Sequence, residues 1–214
     1  MKKEQKEIIK KYEEKIKKIV KPILNKYGYK NYGNAFYFKK EKDFFIHGTY
    51  CIRYIHGELK LEFNGKLKKY LYDNLFWEII NMSDNVNTPE RFRANGAFVC
   101  PSYEIVRDAY DINSSSSIEK LLNKMFITVE KEKNRIITEN EFSLYLDNTP
   151  PQVIGESYNT LRTISYIDLK KYEKAYCLAQ QEHKRGAAGG FINEEKTFNE
   201  WAMEYCLKRM SETL

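Results

Sequence analysis

Proline, cysteine, histidine and tryptophan are all scarce in this 214-residue chain, at 5, 4, 3 and 2 copies. So few prolines leave room for long regular elements. Three histidines, with neither His-Glu-x-x-His nor His-x-His among them, offer no zinc-binding pattern, and no metal or cofactor is expected. Cys51, Cys100, Cys177 and Cys206 lie too far apart for Cys-x-x-Cys spacing or a dense disulfide framework, and read as reduced, mostly packed thiols. Long apolar runs are missing as well. Stretches such as "FFIHGTYCIRYIHG" are short and broken by charge, whereas a membrane span needs about 20 apolar residues. The opening "MKKEQKEIIKKYEEK" lacks the apolar core of a signal peptide, so the expected compartment is the cytoplasm.

What is present suffices for a globular fold, since the chain is 42% hydrophobic and 31% charged, enough to bury a core. The net charge of +6 sits in one place. Residues 1–28 hold ten lysines and four glutamates (10 − 4 = +6), while the other 186 residues carry 26 cations and 26 anions. Within that segment Ile8, Ile9, Tyr12, Ile16, Ile19, Val20, Ile23, Leu24 and Tyr27 recur at helical spacing, with lysines on the other face. Glu7–Lys11, Glu13–Lys17 and Glu14–Lys18 are acid-first pairs four apart, each contributing roughly 0.2–0.5 kcal/mol. Pro22 is expected to kink or restart this helix, and Gly28 to stop it.

After Gly33 the period becomes that of strands. "NAFYFKK", a "KEKD" turn, "FFIHGTYCIRYI" and "ELKLEF" read as a three-stranded antiparallel meander. Asn64-Gly65 invites a further hairpin, but such a turn would place Lys66 and Lys68 on the apolar face. Residues 66–80 are therefore read as a helix, from the shared face of Leu67, Tyr70, Leu71, Leu75 and Ile79. Residues 81–101 look irregular, "AFVC" offers a short strand, and "YEIVRDAYDI" leans to strand. "NSSSS" leads into a helix through a Ser116/Glu119 capping box, and Thr138/Glu141 repeats that spacing. Pro150-Pro151 marks the expected boundary between an α+β domain, 1–149, and a helical C-terminal subdomain, 152–214, unless the two form one continuous domain. Beyond it, Leu169, Tyr172, Tyr176 and Ala179 mark one helix and Phe198, Trp201, Ala202 and Tyr205 another.

Motifs for chemistry are weak throughout. "EHKRGAAGG" follows a helix rather than a strand and lacks Gly-Lys-Ser/Thr, so it reads as a slack linker, with Gly186 as helix stop. His183, Lys184 and Arg185 nevertheless form a candidate anion grip. Ser117-x-x-Lys120 and Ser83-Asp84-Asn85 match two serine-hydrolase signatures in reversed order with no Lys-Thr-Gly following, and a helix cap and a turn explain them. His47 and Cys51 share a strand face about 13 Å apart, too far for direct pairing. His56 beside Gly57 reads as a turn residue. "RFRANG" is the one compact cation–aromatic loop outside the first helix, making Arg91, Phe92 and Arg93 the other candidate binding residues.

The segment "IVKPILNKYGYKNYGNAFYFKK" resembles bacterial proteins grouped as a domain of unknown function, number 4304. The resemblance covers roughly the first third of the chain and carries over no catalytic residue. Some such small α+β proteins look like immunity proteins encoded beside bacterial toxins. The expected protein is thus α+β, a long amphipathic helix on a small antiparallel sheet followed by a mainly helical half. Its expected role is non-enzymatic protein binding. Nucleic-acid binding through the lysine face, and an enzyme acting on an anionic small molecule, are the alternatives.

Overall fold

A computed structural model describes residues 3–33, 35–112, 117–138, 142–148 and 156–212. The fold is α+β, with a five-stranded antiparallel sheet ordered β1-β2-β3-β4-β5. Two compact units emerge, 1–67 with 104–135, and 68–103 with 136–214. Each unit is thus assembled from two separate stretches of chain, a division made by contact rather than at one linker. The Pro150-Pro151 boundary, Ser116 and Glu141 lie outside the described residues.

In the first unit α1 (Lys3–Tyr27) buries Ile16, Val20, Ile23 and Leu24, four residues of the sequence-derived stripe. The helix runs unbroken through Pro22. It ends at Gly28, whose φ of 74° is the left-handed value that favours glycine. Strands β1 (Lys30–Tyr32), β2 (Phe36–Glu41), β3 (Phe44–Ile55), β4 (Glu58–Lys69) and β5 (Tyr103–Asp111) follow. The first strand was not anticipated. The β3–β4 turn takes positive φ at both His56 (53°) and Gly57 (85°), the backbone of a tight hairpin matched to strand twist.

Residues 66–80 are not one helix, which corrects the sequence reading. β4 runs straight through Asn64-Gly65 to Lys69, and α2 covers only Tyr72–Ile79. Leu59, Leu61, Phe63 and Leu67 are all buried, at 4%, 0%, 1% and 0% exposure, so they continue one strand face at period two. Gly65 falls on that face because α4 (Ile118–Thr138) crosses closely there. A Cβ on Gly65 would lie 2.7 Å from Val129 Cγ2. Glycine here serves a close approach rather than a turn.

Phe126 of α4 packs among Tyr29, Tyr37 and Phe63, with ring centroids 5.6, 4.9 and 5.2 Å away. Such aromatic pairs contribute roughly 0.5–1.5 kcal/mol beyond their buried area. The Tyr37 hydroxyl, deep in this cluster, donates to the Asn64 carbonyl at 2.8 Å. Beside it Lys133 donates to Glu41 at 2.8 Å and Glu130 at 2.7 Å, and Tyr29 donates to Glu130 at 2.6 Å. Burial alone would lower the Lys133 pKa, but the two carboxylates hold it above the ordinary lysine value. Ser117 Oγ accepts from the Lys120 N–H at 3.2 Å, so the observed cap of α4 is one residue later than the Ser116 box.

The second unit is helical. It comprises α2, the six-residue α3 (Glu90–Asn95), α5 (Phe142–Asn148), α6 (Glu156–Asp168), α7 (Tyr172–Lys184) and α8 (Phe198–Ser211). A two-strand hairpin, β6 (Ile192–Asn193) with β7 (Lys196–Thr197), precedes α8. α7 packs on α6 and α8, and α2 on α6 and α8. Phe76 stacks on Phe198 with centroids 5.6 Å apart and meets Phe191 at 5.4 Å. Thr197 caps α8 in a reciprocal box with Glu200, a Thr-x-x-Glu spacing that the sequence carries openly.

The "HKRGAAGG" linker is not slack. Thr160 Oγ1 donates to the Gly189 carbonyl at 2.9 Å, Asn199 Nδ2 to the Ala187 carbonyl at 2.7 Å, and Ala187 N–H to the Glu182 carbonyl at 3.0 Å. A Cβ at Gly189 would stand 3.0 Å from the Phe198 side chain. The glycines let this backbone lie flat on α6 and α8, a packing role that local composition does not reveal. Gly186, with φ of 76°, is the stop of α7 as expected. "AFVC" forms no strand.

Candidate protein-binding surface

Lys68 leaves β4 on the face opposite Leu67 and is fully buried, as is Asp73 at the start of α2 (both side chains 0% exposed). Its ammonium donates to Asp73 Oδ1 at 2.7 Å, the Arg93 carbonyl at 3.1 Å and the Cys100 carbonyl at 3.0 Å. All three ammonium protons are therefore used. Asp73 Oδ1 also accepts the Cys100 N–H at 2.9 Å, and Asp73 Oδ2 pairs with Arg93 at 3.5 Å. The Arg93 guanidinium donates to the Tyr70 carbonyl at 3.3 Å and Asn74 Oδ1 at 2.8 Å, lying over the Tyr70 and Trp77 rings at 4.3 and 4.8 Å.

This triad clamps an irregular segment. A 3₁₀ turn (Ser83–Asn87), α3 and the chain to Cys100 lie between its anchor points. Trp77 Nε1 holds the Phe98 carbonyl at 2.5 Å. On this pinned backbone Val86, Phe92 and Phe98 remain 39%, 40% and 47% exposed, and the Arg91 guanidinium sits 5.2 Å from the Phe92 ring centroid. The Phe98 ring rests edge-on against Phe191, 5.0 Å away, and the next residue, Ile192, is 61% exposed. Fixed backbone with exposed aromatic and arginine side chains suits burial against another protein, because little conformational freedom remains to be lost.

The sequence-derived candidates divide. Arg91 and Phe92 are exposed and belong to this surface. Arg93 does not, being 2% exposed, because its charge is spent on Asp73, Tyr70 and Asn74. His183, Lys184 and Arg185 lie exposed at the end of α7, with Arg185 paired to Glu182 at 2.9 Å. Val86, Phe98 and Ile192 were missed. Apolar residues in short segments read as core by type, and their exposure is legible only once burial of the neighbours is known.

A cleft of about 370 Å³ lies on the sheet, lined by Thr49, Cys51, Arg53, Asn64 and Arg107 among others. Its charges are internally matched, Arg53 with Glu62 at 3.0 Å and Arg107 with Glu104 at 2.7 Å. Asn64 Nδ2 donates to Thr49 Oγ1 at 2.7 Å, and the Thr49 N–H to Asn64 Oδ1 at 3.1 Å. Cys51 donates to Glu62 at 3.6 Å, and burial pushes its thiol pKa up, which disfavours the nucleophilic thiolate. Among the described residues no cluster of three or more His, Cys, Asp or Glu is placed to hold a metal, and no helix is long and apolar enough to cross a membrane.

The thiols should react in a fixed order. Cys177 is exposed, Cys51 half-buried, Cys100 and Cys206 buried; burial raises the Cys100 thiol and pushes Cys206 up to about 12. With an aromatic disulfide reagent at neutral pH, Cys177 is expected to react first and Cys51 slowly. Cys100 and Cys206 should react only on unfolding, and fast labelling of either in the native protein would contradict this packing.

No family model, curated protein or solved structure matches this chain.

Proposed function

We propose that this protein is a cytosolic, non-enzymatic protein-binding module whose partner covers Arg91, Phe92, Phe98 and the neighbouring apolar side chains. The observation that carries the reading is the pairing of exposed Phe92 and Phe98 with the fully buried Lys68–Asp73–Arg93 clamp beneath them. A buried ion triad contributes little net stability and often less than an apolar core would. Holding an irregular segment in one conformation gives it a use, since preorganised anchors lose little entropy on binding. A neutralising role, like that of an immunity protein, fits such a surface.

The lysine face of α1 favours a second reading. Lys3, Lys6, Lys10, Lys11, Lys15, Lys17, Lys18, Lys21 and Lys26 are all exposed, as a nucleic-acid backbone would require. One experiment separates the two: capture from a native-host lysate with wild-type protein and with the Phe92→Ala/Phe98→Ala variant, each with and without nuclease. The protein-binding reading expects a stoichiometric partner that survives nuclease and is weakened roughly 30-fold or more in the variant, as for paired aromatic anchors. Capture unaffected by the variant overturns it. Capture lost to nuclease instead assigns the function to the α1 lysines.

A further inference from the structure

A cleft of about 820 Å³ opens where the turn between α6 and α7 meets the last turn of α8. Four cations line it, Lys170, Lys171 and Lys174 from the turn and α7, and Arg209 from α8, against two carboxylates, Glu173 and Glu212, so its lining carries 4 − 2 = +2. That imbalance is local, because residues 29–214 as a whole are neutral, with 26 cations and 26 anions. We propose that this cleft binds a phosphate monoester, with the phosphate between Lys170 and Lys171 and the organic body against Tyr172 and Met210.

The cations differ in availability. Arg209 is committed, donating to Glu78 at 2.8 Å and Glu212 at 3.2 Å, so it supplies field rather than contact. Lys174 donates to Asp147 at 3.1 Å and lies 4.4 Å from the Tyr166 ring centroid, leaving it ammonium protons to spare. Lys170 and Lys171 are exposed and their ammonium groups have no hydrogen-bond or ion-pair partner among the described residues. The turn that carries them is tightly built: Lys170 N–H bonds to the Ile167 carbonyl at 2.9 Å and Lys171 N–H to the Tyr166 carbonyl at 2.8 Å. This is a helix stop in which glycine usually takes the left-handed position, yet Lys170 takes it, with φ of 57°. Lys170 is thus held in a fixed turn, next to a second unpaired lysine.

The geometry suits phosphate in particular. Lysine ammonium groups act as compact point charges with freely turning protons, which match an anion with several equivalent oxygens. The cleft volume falls within the range of small-molecule sites, and the Tyr172 ring and Met210 thioether supply apolar surface beside the charge. The remaining donors at hand are the N–H groups of Tyr172, Glu173 and Lys174, which precede the first helical bond of α7, Ala175 N–H to the Lys171 carbonyl at 3.0 Å. No side chain caps them.

This site does not depend on the surface around Phe92, and its failure would leave that reading intact. The test is a titration of the full chain with phenyl phosphate and, separately, inorganic phosphate, followed by amide chemical shifts at constant ionic strength. Vesicles with and without phosphatidate serve as a third arm. Shifts are expected at residues 170–174 and 209–212, larger for phenyl phosphate than for phosphate. Lys170→Gln/Lys171→Gln should weaken phenyl phosphate binding about tenfold or more, since two charge-assisted contacts are lost. Lys184→Gln/Arg185→Gln should leave it unchanged. Vesicle binding that needs phosphatidate and the same two lysines names a lipid headgroup as the source of the phosphate. No shift at 170–174, or equal affinity in the Lys170/Lys171 variant, overturns the proposal.

Discussion

Asp73→Ala is expected to destabilise the protein by about 3–5 kcal/mol, the cost of removing one partner from a buried ion pair. Three groups lose a partner at once: the Lys68 ammonium and the Cys100 N–H lose a hydrogen-bond acceptor at 2.7 and 2.9 Å, and the Arg93 guanidinium loses an ion pair at 3.5 Å. Two cations would then stand in the interior, Lys68 at 0% and Arg93 at 3% side-chain exposure, without the Asp73 carboxylate. Urea unfolding measures the loss, and amide exchange should quicken first between Glu90 and Cys100. The control lies one residue along the same strand. Lys69 pairs with Asp168 at 2.6 Å, but both side chains are about 30% exposed (29% and 31%), and Lys69→Ala should cost roughly 0–1 kcal/mol. Equal losses in the two variants would mean that burial does not set the strength of these pairs, and would remove the basis for a preorganised segment.

Gly48→Ala should be nearly as severe, at about 3 kcal/mol or more, the upper end of overpacking. A Cβ there would overlap the Asn64 carbonyl oxygen and sit 2.5 Å from the Tyr37 hydroxyl. The first obstacle is backbone, so β3 and β4 would have to part. The second is the hydroxyl that binds that same carbonyl at 2.8 Å. Gly65→Ala meets the Val129 Cγ2 methyl at 2.7 Å instead, the end of a side chain that can shift, and is expected to cost about 1–2 kcal/mol. Thermal unfolding of both variants tests the ranking. A Gly65→Ala loss equal to that of Gly48→Ala would show that the sheet yields as readily as a methyl group does.

The two glycines show where local pattern stops being informative. Asn64-Gly65 is a strong hairpin signal by residue type, yet β4 passes through it without a turn. Helical periodicity over 66–80 competes with the strand there, because alternation at Phe63, Gly65 and Leu67 looks broken when one of the three has no side chain. The reason for that glycine, the approach of α4, is more than sixty residues away in sequence, at Val129. The same holds at Gly189, which reads as slack by residue type and is packed against Phe198 and Thr160.

The sequence by itself determined the elements whose partner is simply the apolar core. The stripe from Ile16 to Leu24, the α4 face from Ile118 to Val129, and the turn at His56-Gly57 are all where periodicity and turn chemistry put them. A repeated pattern over many residues needs only one face to be buried, and no knowledge of what buries it. Tertiary structure alone decided the fate of single charges. Lys68 and Lys69, adjacent in the chain, are alike to any local rule, and so are Arg91 and Arg93, two residues apart. One of each pair is buried and one is not, because burial of a charge depends on a partner brought from elsewhere: Asp73 for both Lys68 and Arg93. The surface around Phe92 exists for the same reason, as the outward side of a segment whose inward side is held by that carboxylate.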